Sequence, residues 1–394
     1  MIEFNDEHEA FRAVVRDFAR RELAPHVDTW EAAHELPLAA VAKMADLGLF
    51  GIVFPAKFGG SDGDFSSLCI AIEEVGQVSQ SLGITLSAAV GLGANPIHSF
   101  GDEAQQAEWL PDLVAGRRLG AFGLTEPDAG SDAGGTRTRA TYDSATDEWV
   151  LNGSKAFITN SGTPITSVVT VTALTAQAAQ AAPAAHGRPG EISSFIVPAG
   201  TPGMTIEPAY RKLGWHASDT HGITLSDCRV PAAHMLGAQG SGLRNFLAIL
   251  DDGRIAISAL AAGCAQACLD LAVAYAKERQ AFGGPIGRFQ GLAFQLADLA
   301  VAVENSRNLT YGAARLKDTG KPFRQAAAMA KLYSTETAVH ATRVATQVFG
   351  GMGFMEESPV ARFYRDAKIL EIGEGTSEIQ RLVIARGLGL GAAL

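Results

Sequence analysis

The hydrophobic positions of the chain change period twice along its length. In the first third, Phe11, Val14, Val15 and Phe18 recur at helical spacing, and Pro25 follows that amphipathic stretch. Leu68–Val75 continues the pattern, and the polar and charged residues around Asp102–Glu108 read as the solvated face of a further helix. From Leu119 to Val230 the texture shifts to Thr, Val, Ile and Gly with short apolar runs, among them Glu148–Leu151, Ser167–Val171, Ser194–Val197 and Ile223–Leu225. Asp143-Ser144, Asn152-Gly153 and Pro202-Gly203 supply turn residues between such runs, which predicts an antiparallel β domain. The Ala/Gln/Pro-rich stretch Ala173–Gly190 reads as an extended surface loop. After Pro231 the helical period returns: Ile257, Leu260, Cys264, Cys268, Leu271 and Tyr275 form one stripe, and Leu292, Leu296, Leu299, Val303 and Ser306 another. Phe323–Val348 and Ser377–Leu388 predict two more helices. The order is helices, strands, helices: an α+β protein with an N-terminal helical domain (1–118), a middle antiparallel β domain (119–231) and a C-terminal four-helix bundle (232–394).

Composition sharpens this picture. At about 150 residues per domain, 394 residues suit two or three units. A chain that is 47% hydrophobic and 19% charged can build large cores, which excludes global disorder. Lys and Arg number 32 against 42 Asp and Glu, so the net charge is -10 and nucleic acid is not an expected partner. The segment from Ala156 to Gly187 lacks Asp, Glu, Lys and Arg, but Asn160, Gly162, Pro164, Gln177, Gln180 and Pro183 interrupt it, so it is not read as a membrane span. The opening MIEFNDEHEAFR shows acidic residues at once and no apolar signal core, which points to a cytoplasmic protein or an already mature form. The four cysteines include no C-x-x-C pair, and Cys264 and Cys268 share a helix face as small apolar residues. The nine histidines lack paired spacing, so no metal site is expected. No strand–GxGxxG–helix unit or P-loop is present.

Four segments carry candidate chemistry. FGLTEPDAGS (Phe122–Ser131) runs from a strand into a turn, where Gly130 and Ser131 permit close backbone approach and Thr125 and Ser131 offer hydroxyls. It is not a G-x-S-x-G nucleophile elbow. KAFITN (Lys155–Asn160) reads as a strand whose Phe157 either lies against a planar ring or sits in the core. In RQAFG (Arg279–Gly283), followed by Phe289-Gln290, the arginine either clamps a phosphate or caps a solvated helix end. In DAKILEIGEGTSEIQR (Asp366–Arg381), Glu374 stands between Gly373 and Gly375, just before a helix that Thr376 could cap. A carboxylate on a glycine-flanked loop can reach into a site, and the helix N-terminus offers free N–H groups for an anion or carbonyl oxygen.

Together, in this order and spacing, these segments resemble the acyl-CoA dehydrogenase family, from Phe4 to about Gly387. KLGWHASDT (Lys212–Thr220), CRVP (Cys228–Pro231), LDDGRIAISAL (Leu250–Leu260), FGGMGF (Phe349–Phe354) and YRDAK (Tyr364–Lys368) extend the likeness. The resemblance implies a helical domain, a β domain and a four-helix bundle, with FAD between the last two, usually in a homotetramer. It implies that Phe122, Leu124, Thr125 and Ser131 line the flavin, and that Phe157, Ile158 and Thr159 cover its isoalloxazine ring away from substrate. Many members have Trp where this chain has Phe157. Arg279, Phe282, Gln290, Gln347, Gly350 and Gly351 match positions that hold the adenosine diphosphate half, partly across a subunit interface. Thr376 and Glu378 match further cofactor contacts, and Ser131, Leu92, Asp251, Arg254, Gly373 and Gly375 match positions near the acyl-CoA.

Glu374 matches the catalytic base. In some branches the base instead precedes the arginine matched by Arg254; here that residue is Gly253, which cannot serve. Exclusion of water by substrate and flavin is expected to raise the Glu374 pKa towards roughly 6–7. The resemblance implies that the thioester oxygen accepts hydrogen bonds from the Glu374 N–H and a flavin ribityl hydroxyl, donors that would stabilise the enolate. The implied reaction converts a short-chain acyl-CoA to a trans-2-enoyl-CoA and passes electrons to an electron-transfer flavoprotein. Straight-chain members often have Tyr where this chain has Gly373, whereas isovaleryl-type members share the Gly and a Leu matching Leu92. Leu316–Arg386 most resembles butyryl-type members. The acyl group is therefore expected to be short, straight or methyl-branched. A flavin monooxygenase or oxidase on the same fold is the alternative, and Glu374 favours the dehydrogenase.

Overall fold

The computed structural model describes residues 4–175 and 192–391. Most of the Ala173–Gly190 stretch lies outside the described residues, and its first three residues belong to a strand. The N-terminal helices are α1 (Asp6–Phe18), α2 (Val27–Ala33), α3 (Leu38–Asp46), α4 (Phe65–Gly76), α5 (Gln80–Ala88), α6 (Asn95–Phe100) and α7 (Glu103–Val114). Local chemistry sets their starts. Asn5, Asp64 and Ser79 cap α1, α4 and α5, and Asp102 and Gln105 form a reciprocal capping box on α7. Val15 is buried on α1, but Val14 is 51% exposed, so only part of the periodic set faces the core. Helices α4 and α5 are buried on all sides. Arg12 of α1 donates to the carboxylates of Glu73 and Glu74 on α4 (3.1 and 2.9 Å) and to the Tyr311 hydroxyl (3.1 Å), tying the N-terminal helices to the bundle.

The middle part is one sheet of β1 (Leu119–Gly123), β2 (Arg139–Asp143), β3 (Glu148–Thr159), β4 (Thr166–Thr175), β5 (Ile192–Pro198), β6 (Met204–Ile206), β7 (Thr220–Pro231) and β8 (Met235–Leu236). Its order is β6-β7-β3-β2-β4-β5-β8, with β1 beside β4. Most of its pairings are antiparallel, as the turn residues predict, but two are parallel. β1 runs parallel to β4, with Gly120 opposite Val168 and Gly123 opposite Val171, and β2 pairs parallel with β4 at Arg139 and Ala140. Turn residues mark hairpins, but a parallel pair is joined by a crossover that leaves no turn signal in the strands themselves. β1 enters the sheet straight from the helical domain, where its backbone presses on the chain after α5. A side chain on Gly93 would lie 2.6 Å from the Gly120 carbonyl oxygen, so only glycine permits that approach.

The bundle comprises α8 (Gly242–Glu278), α9 (Gln290–Asp318), α10 (Arg324–Phe349) and the shorter α12 (Ser377–Gly387), with α11 (Pro359–Ala367) leading into α12. A small hairpin, β9 (Gln280–Ala281) with β10 (Gly284–Pro285), links α8 to α9. Among the described residues α8 alone is long and apolar enough to cross a membrane, yet 78% of its most apolar stretch is buried within the protein. Its small residues set close packing: a side chain on Gly263 would meet the Glu73 carbonyl oxygen at 2.4 Å. Cys264 and Cys268 are buried free thiols on that helix, as their small apolar character implies.

Candidate active site

Between α11 and α12 the chain passes through Gly373, Glu374 and Gly375. Glu374 has φ +52° and Gly375 φ +94°, two successive left-handed residues. For glutamate that conformation costs about 1–2 kcal/mol, and the surroundings must hold it. The Gln380 side-chain amide donates to the Gly375 carbonyl at 2.8 Å and to the Glu374 carbonyl at 3.4 Å. Lys331 Nζ, from α10, donates to the same Gly375 carbonyl at 2.8 Å. Thr376 caps α12 by accepting from Ile379 N at 3.3 Å.

The side chain of Glu374 turns inward against α8. Its Oε2 is shielded from solvent and has no hydrogen-bond partner among the described residues. A Cβ on Gly253 would sit 1.7 Å from that oxygen, so the missing side chain on α8 is what makes room for the carboxylate. Burial pushes the Glu374 pKa up to about 7; Lys331 and Arg254 oppose the rise and Asp252 adds to it. Arg254 Nη1 is bonded to the Asp251 carboxylate, and Arg254 Nε is buried without a partner. Asp252 accepts from Asn95 Nδ2 at 3.1 Å and pairs with Lys317 Nζ at 2.8 Å.

An apolar wall adjoins this charged corner. Phe122 stacks on Phe246 with ring centroids 4.1 Å apart. Phe122, Leu124, Phe246 and Ile249 form a buried cluster, against which Leu92 and Leu250 pack. The chain after α5, strand β1 and helix α8 therefore meet at one place, bringing Leu92, Phe122 and Leu124 beside the segment that bears Asp251 and Arg254.

The turn after β1 is locked to β3 by a buried ion pair. Lys155 Nζ lies 2.7 Å from Glu126 Oε1 and 3.1 Å from Thr172 Oγ1. The Glu126 carboxylate also accepts the N–H groups of Arg137 (2.7 Å) and Thr138 (3.1 Å). Burial draws the Lys155 pKa down to about 8 against the pull of Glu126. The Thr125 carbonyl accepts from Ala156 N at 2.9 Å, and Ser131 is exposed beyond the turn. Replacing Lys155 by Met leaves Glu126 buried without its cation. We expect this to destabilise the protein by about 3–5 kcal/mol, read as loss of sheet signal at lower denaturant; an unchanged midpoint would strip the pair of structural weight.

Next to Lys155 the register of β3 shifts, and Phe157 sits there with φ +61° and 66% exposure. A bulky residue in the left-handed region is a strained placement. Phe157 is therefore not a core residue: its ring stands outward beside Tyr210, with centroids 5.2 Å apart. Ile158 points the other way, into the core of the sheet, so only its backbone is available to a ligand on the Phe157 side. Thr159 is half-buried opposite Thr220.

The remaining predicted residues gather elsewhere. Arg279, Phe282, Gln290, Gln347, Gly350 and Gly351 are all exposed around the α8–α9 connection and the end of α10, where Tyr275 stacks on Phe349 at 4.2 Å. Gly253 and Arg279 lie about 39 Å apart along α8 at the helical rise. Within this chain, then, this group is not brought to Glu374. Thr376 and Glu378 open α12, with the Glu378 side chain exposed.

Sequence reasoning did not single out Lys331, Glu126 or Phe246. Lys331 had a faint signal: it falls on the stripe Ala327, Lys331, Ser334, Ala338, where every other residue is small and uncharged.

Three family descriptions match successive parts of the chain: acyl-CoA dehydrogenase N-terminal domain over residues 5–117, middle domain over 121–228 and C-terminal domain over 240–389. The chain belongs to the acyl-CoA dehydrogenase family. It is an oxidoreductase of that type. It is 49% identical to a probable acyl-CoA dehydrogenase, YngJ, of Bacillus subtilis, over 98% of this chain and 99% of the relative. Among solved structures, butyryl-CoA dehydrogenase from Megasphaera elsdenii superposes with TM-score 0.92 at 41% identity, covering 98% of this chain and 99% of that one. A chain solved in work on the electron transferring flavoprotein of Acidaminococcus fermentans and flavin-based electron bifurcation superposes with TM-score 0.93 at 39% identity, covering 98% and 99%. This acyl-CoA dehydrogenase thus shares its three-part architecture with relatives over nearly its whole length.

Proposed function

We propose that this acyl-CoA dehydrogenase removes one hydrogen from each of Cα and Cβ of a short, straight or methyl-branched acyl-CoA, giving the trans-2-enoyl-CoA, with Glu374 as base. The observation that carries this reading is the unpartnered, buried Glu374 Oε2 beside Gly253, with a pKa raised to about 7. Such a carboxylate is basic enough at neutral pH to take a weakly acidic proton, and its Oε2 is committed to no protein donor among the described residues.

The residues present fit FAD. An aromatic ring held outward in a strained backbone at Phe157 suits one face of a planar ring system, and the open backbone at Gly130, where a side chain would meet nothing within 4 Å, suits close approach. Phe122, Leu124, Thr125, Ser131, Phe157, Thr159 and the Ile158 backbone would hold the flavin end, with Thr376 and Glu378 nearby. The chemistry FAD supplies when bound is acceptance of the hydride from Cβ, the electrons then passing to an electron-transfer flavoprotein.

Glu374 Oε2 takes the α-proton. The Glu374 N–H donates to the thioester oxygen as negative charge develops there. Leu92, Phe122 and Leu124 exclude water from the acyl chain, which keeps the carboxylate basic. Asp251 and Arg254, fixed to each other, orient the thioester arm of CoA. Arg279, Phe282, Gln290, Gln347, Gly350 and Gly351 hold the adenosine diphosphate half of a cofactor bound mainly to a second copy of the chain. The exposure of Phe282 (90%) and Phe354 (87%) supports an assembly that covers them, the homotetramer that the resemblance implies being the proposed form.

A short, wide pocket is supported by Gly373, where a Cβ would find only the Ile369 carbonyl oxygen, at 3.4 Å, within 4 Å. The test is anaerobic bleaching of the yellow protein by butyryl-, isobutyryl-, isovaleryl-, 2-methylbutyryl- and octanoyl-CoA. The four short thioesters are expected to lead, and a marked preference for octanoyl-CoA refutes the short pocket. Gly373→Tyr is expected to cost the branched substrates about 10-fold or more in kcat/KM relative to butyryl-CoA, the scale of one or two methyl groups in a filled pocket.

A further inference from the structure

Lys331 is the one ionisable residue on the buried face of α10 and is fully buried. An ammonium taken out of water is costly, and such groups persist where hydrogen bonds or opposite charge compensate. Among the described residues Lys331 Nζ has no carboxylate within ion-pair distance. Its hydrogen bond goes to the carbonyl of Gly375, the residue after Glu374.

We propose that Lys331 is the positioning residue of the base: its buried ammonium pins the Gly375 carbonyl, and with it the left-handed backbone at Glu374, while setting an unpaired positive charge toward the carboxylate. This rests on the reading of Glu374 as the base.

The charges around the carboxylate sort by how far each is already committed. On α8, Arg254 is tied to Asp251, which Arg324 also approaches at 3.6 Å, and Asp252 is paired with Lys317. Glu371, in the turn before the loop, is paired with Lys368 at 2.6 Å. Glu378 opens α12 and is exposed. Lys331 is the strongest of the charges that hold the Glu374 pKa down against burial. Gln380 shares the pinning of the Gly375 carbonyl but carries no charge. The backbone hold is thus double, whereas the electrostatic role falls chiefly to Lys331.

The sign follows. A nearby cation favours the ionised carboxylate, so removing it raises the affinity of Glu374 for its proton. The experiment compares FAD-loaded wild type, Lys331→Met and Lys331→Arg. Protonation of Glu374 is read from the carboxyl infrared band by difference against the matching Glu374→Gln protein. In Lys331→Met the midpoint is expected to rise by about half a pH unit or more, the acid limb of kcat/KM to move up with it, and plateau kcat to fall by about 10-fold. Lys331→Arg keeps the cation and the wild-type midpoint. A folded, yellow Lys331→Met with an unmoved midpoint and limb overturns the proposal. Should Lys331→Met fail to fold, Lys331→Gln is read by the same midpoint. Normal turnover in Glu374→Gln would instead overturn the base assignment, while the infrared midpoints would still report whether Lys331 acts on the carboxylate.

Discussion

Glu374→Gln is expected to remain a yellow protein that binds acyl-CoA and to lose at least about 10³-fold in turnover, the scale of a general base. The amide keeps the size of the side chain. It also leaves untouched the main-chain carbonyls held by Lys331 and Gln380, so the loop keeps its course. What it lacks is a lone pair basic enough to take the α-proton. A 10³-fold loss is about 4 kcal/mol of barrier. The wild-type enzyme adds a pH signature. With the Glu374 pKa near 7, the base is ionised above that pH, and kcat/KM falls as the carboxylate takes up a proton below it. The variant's residual rate should show no such limb. Rapid anaerobic mixing with butyryl-CoA across pH 5.5–8.5 measures both; a limb that survives in Glu374→Gln would assign it to another group.

Gly253→Ala is expected to fold at least as well as wild type while losing about 100-fold in kcat. The two effects have separate causes. In the middle of α8, Ala is about 1 kcal/mol better than Gly as a helix former. Its methyl carbon, however, would lie 1.7 Å from Glu374 Oε2. The carboxylate is the free end of a flexible side chain, so it gives way and the helix does not move. Displacing a reacting group by about 1 Å can cost 10²-fold. Thermal melting and steady-state kinetics on one preparation test the pair; equal kcat would show that the carboxylate has slack the geometry denies it.

Much of the fold could be read from periodicity because the buried stripes of the long helices are regular. Of the stripe Leu292, Leu296, Leu299, Val303 and Ser306, all but the half-buried Leu292 are buried on α9. The strand cores were visible as apolar runs, but β3 extends well past Glu148–Leu151 to Thr159. The parallel pairing of β1 with β4 was illegible, because parallel strands are joined by a long crossover and no local turn marks them as partners. In the site, Glu374 stood out through its glycine neighbours, and Gly253 through its place before Arg254. The outward strain of Phe157 could not be seen, since an aromatic residue in a strand reads equally well as core. Lys331 and the Glu126–Lys155 pair stayed hidden for a related reason. A charged residue in sequence is read as solvated unless its partner, 29 or more positions away in these cases, is already known.

The close fit of Glu374 against Gly253 also constrains how such a chain could change. The family resemblance implies that a base can reside either on the loop or on the helix, at these two positions. Here the space is shared, so a side chain at the helix position displaces the loop carboxylate before it has taken over its work. Removing the loop carboxylate first takes away the proposed base. With Glu374 as the proposed base, each single step from this sequence toward the other arrangement is therefore expected to lower activity. The two arrangements are thus mutually exclusive in space, and a paired substitution is expected to be needed to pass from one to the other.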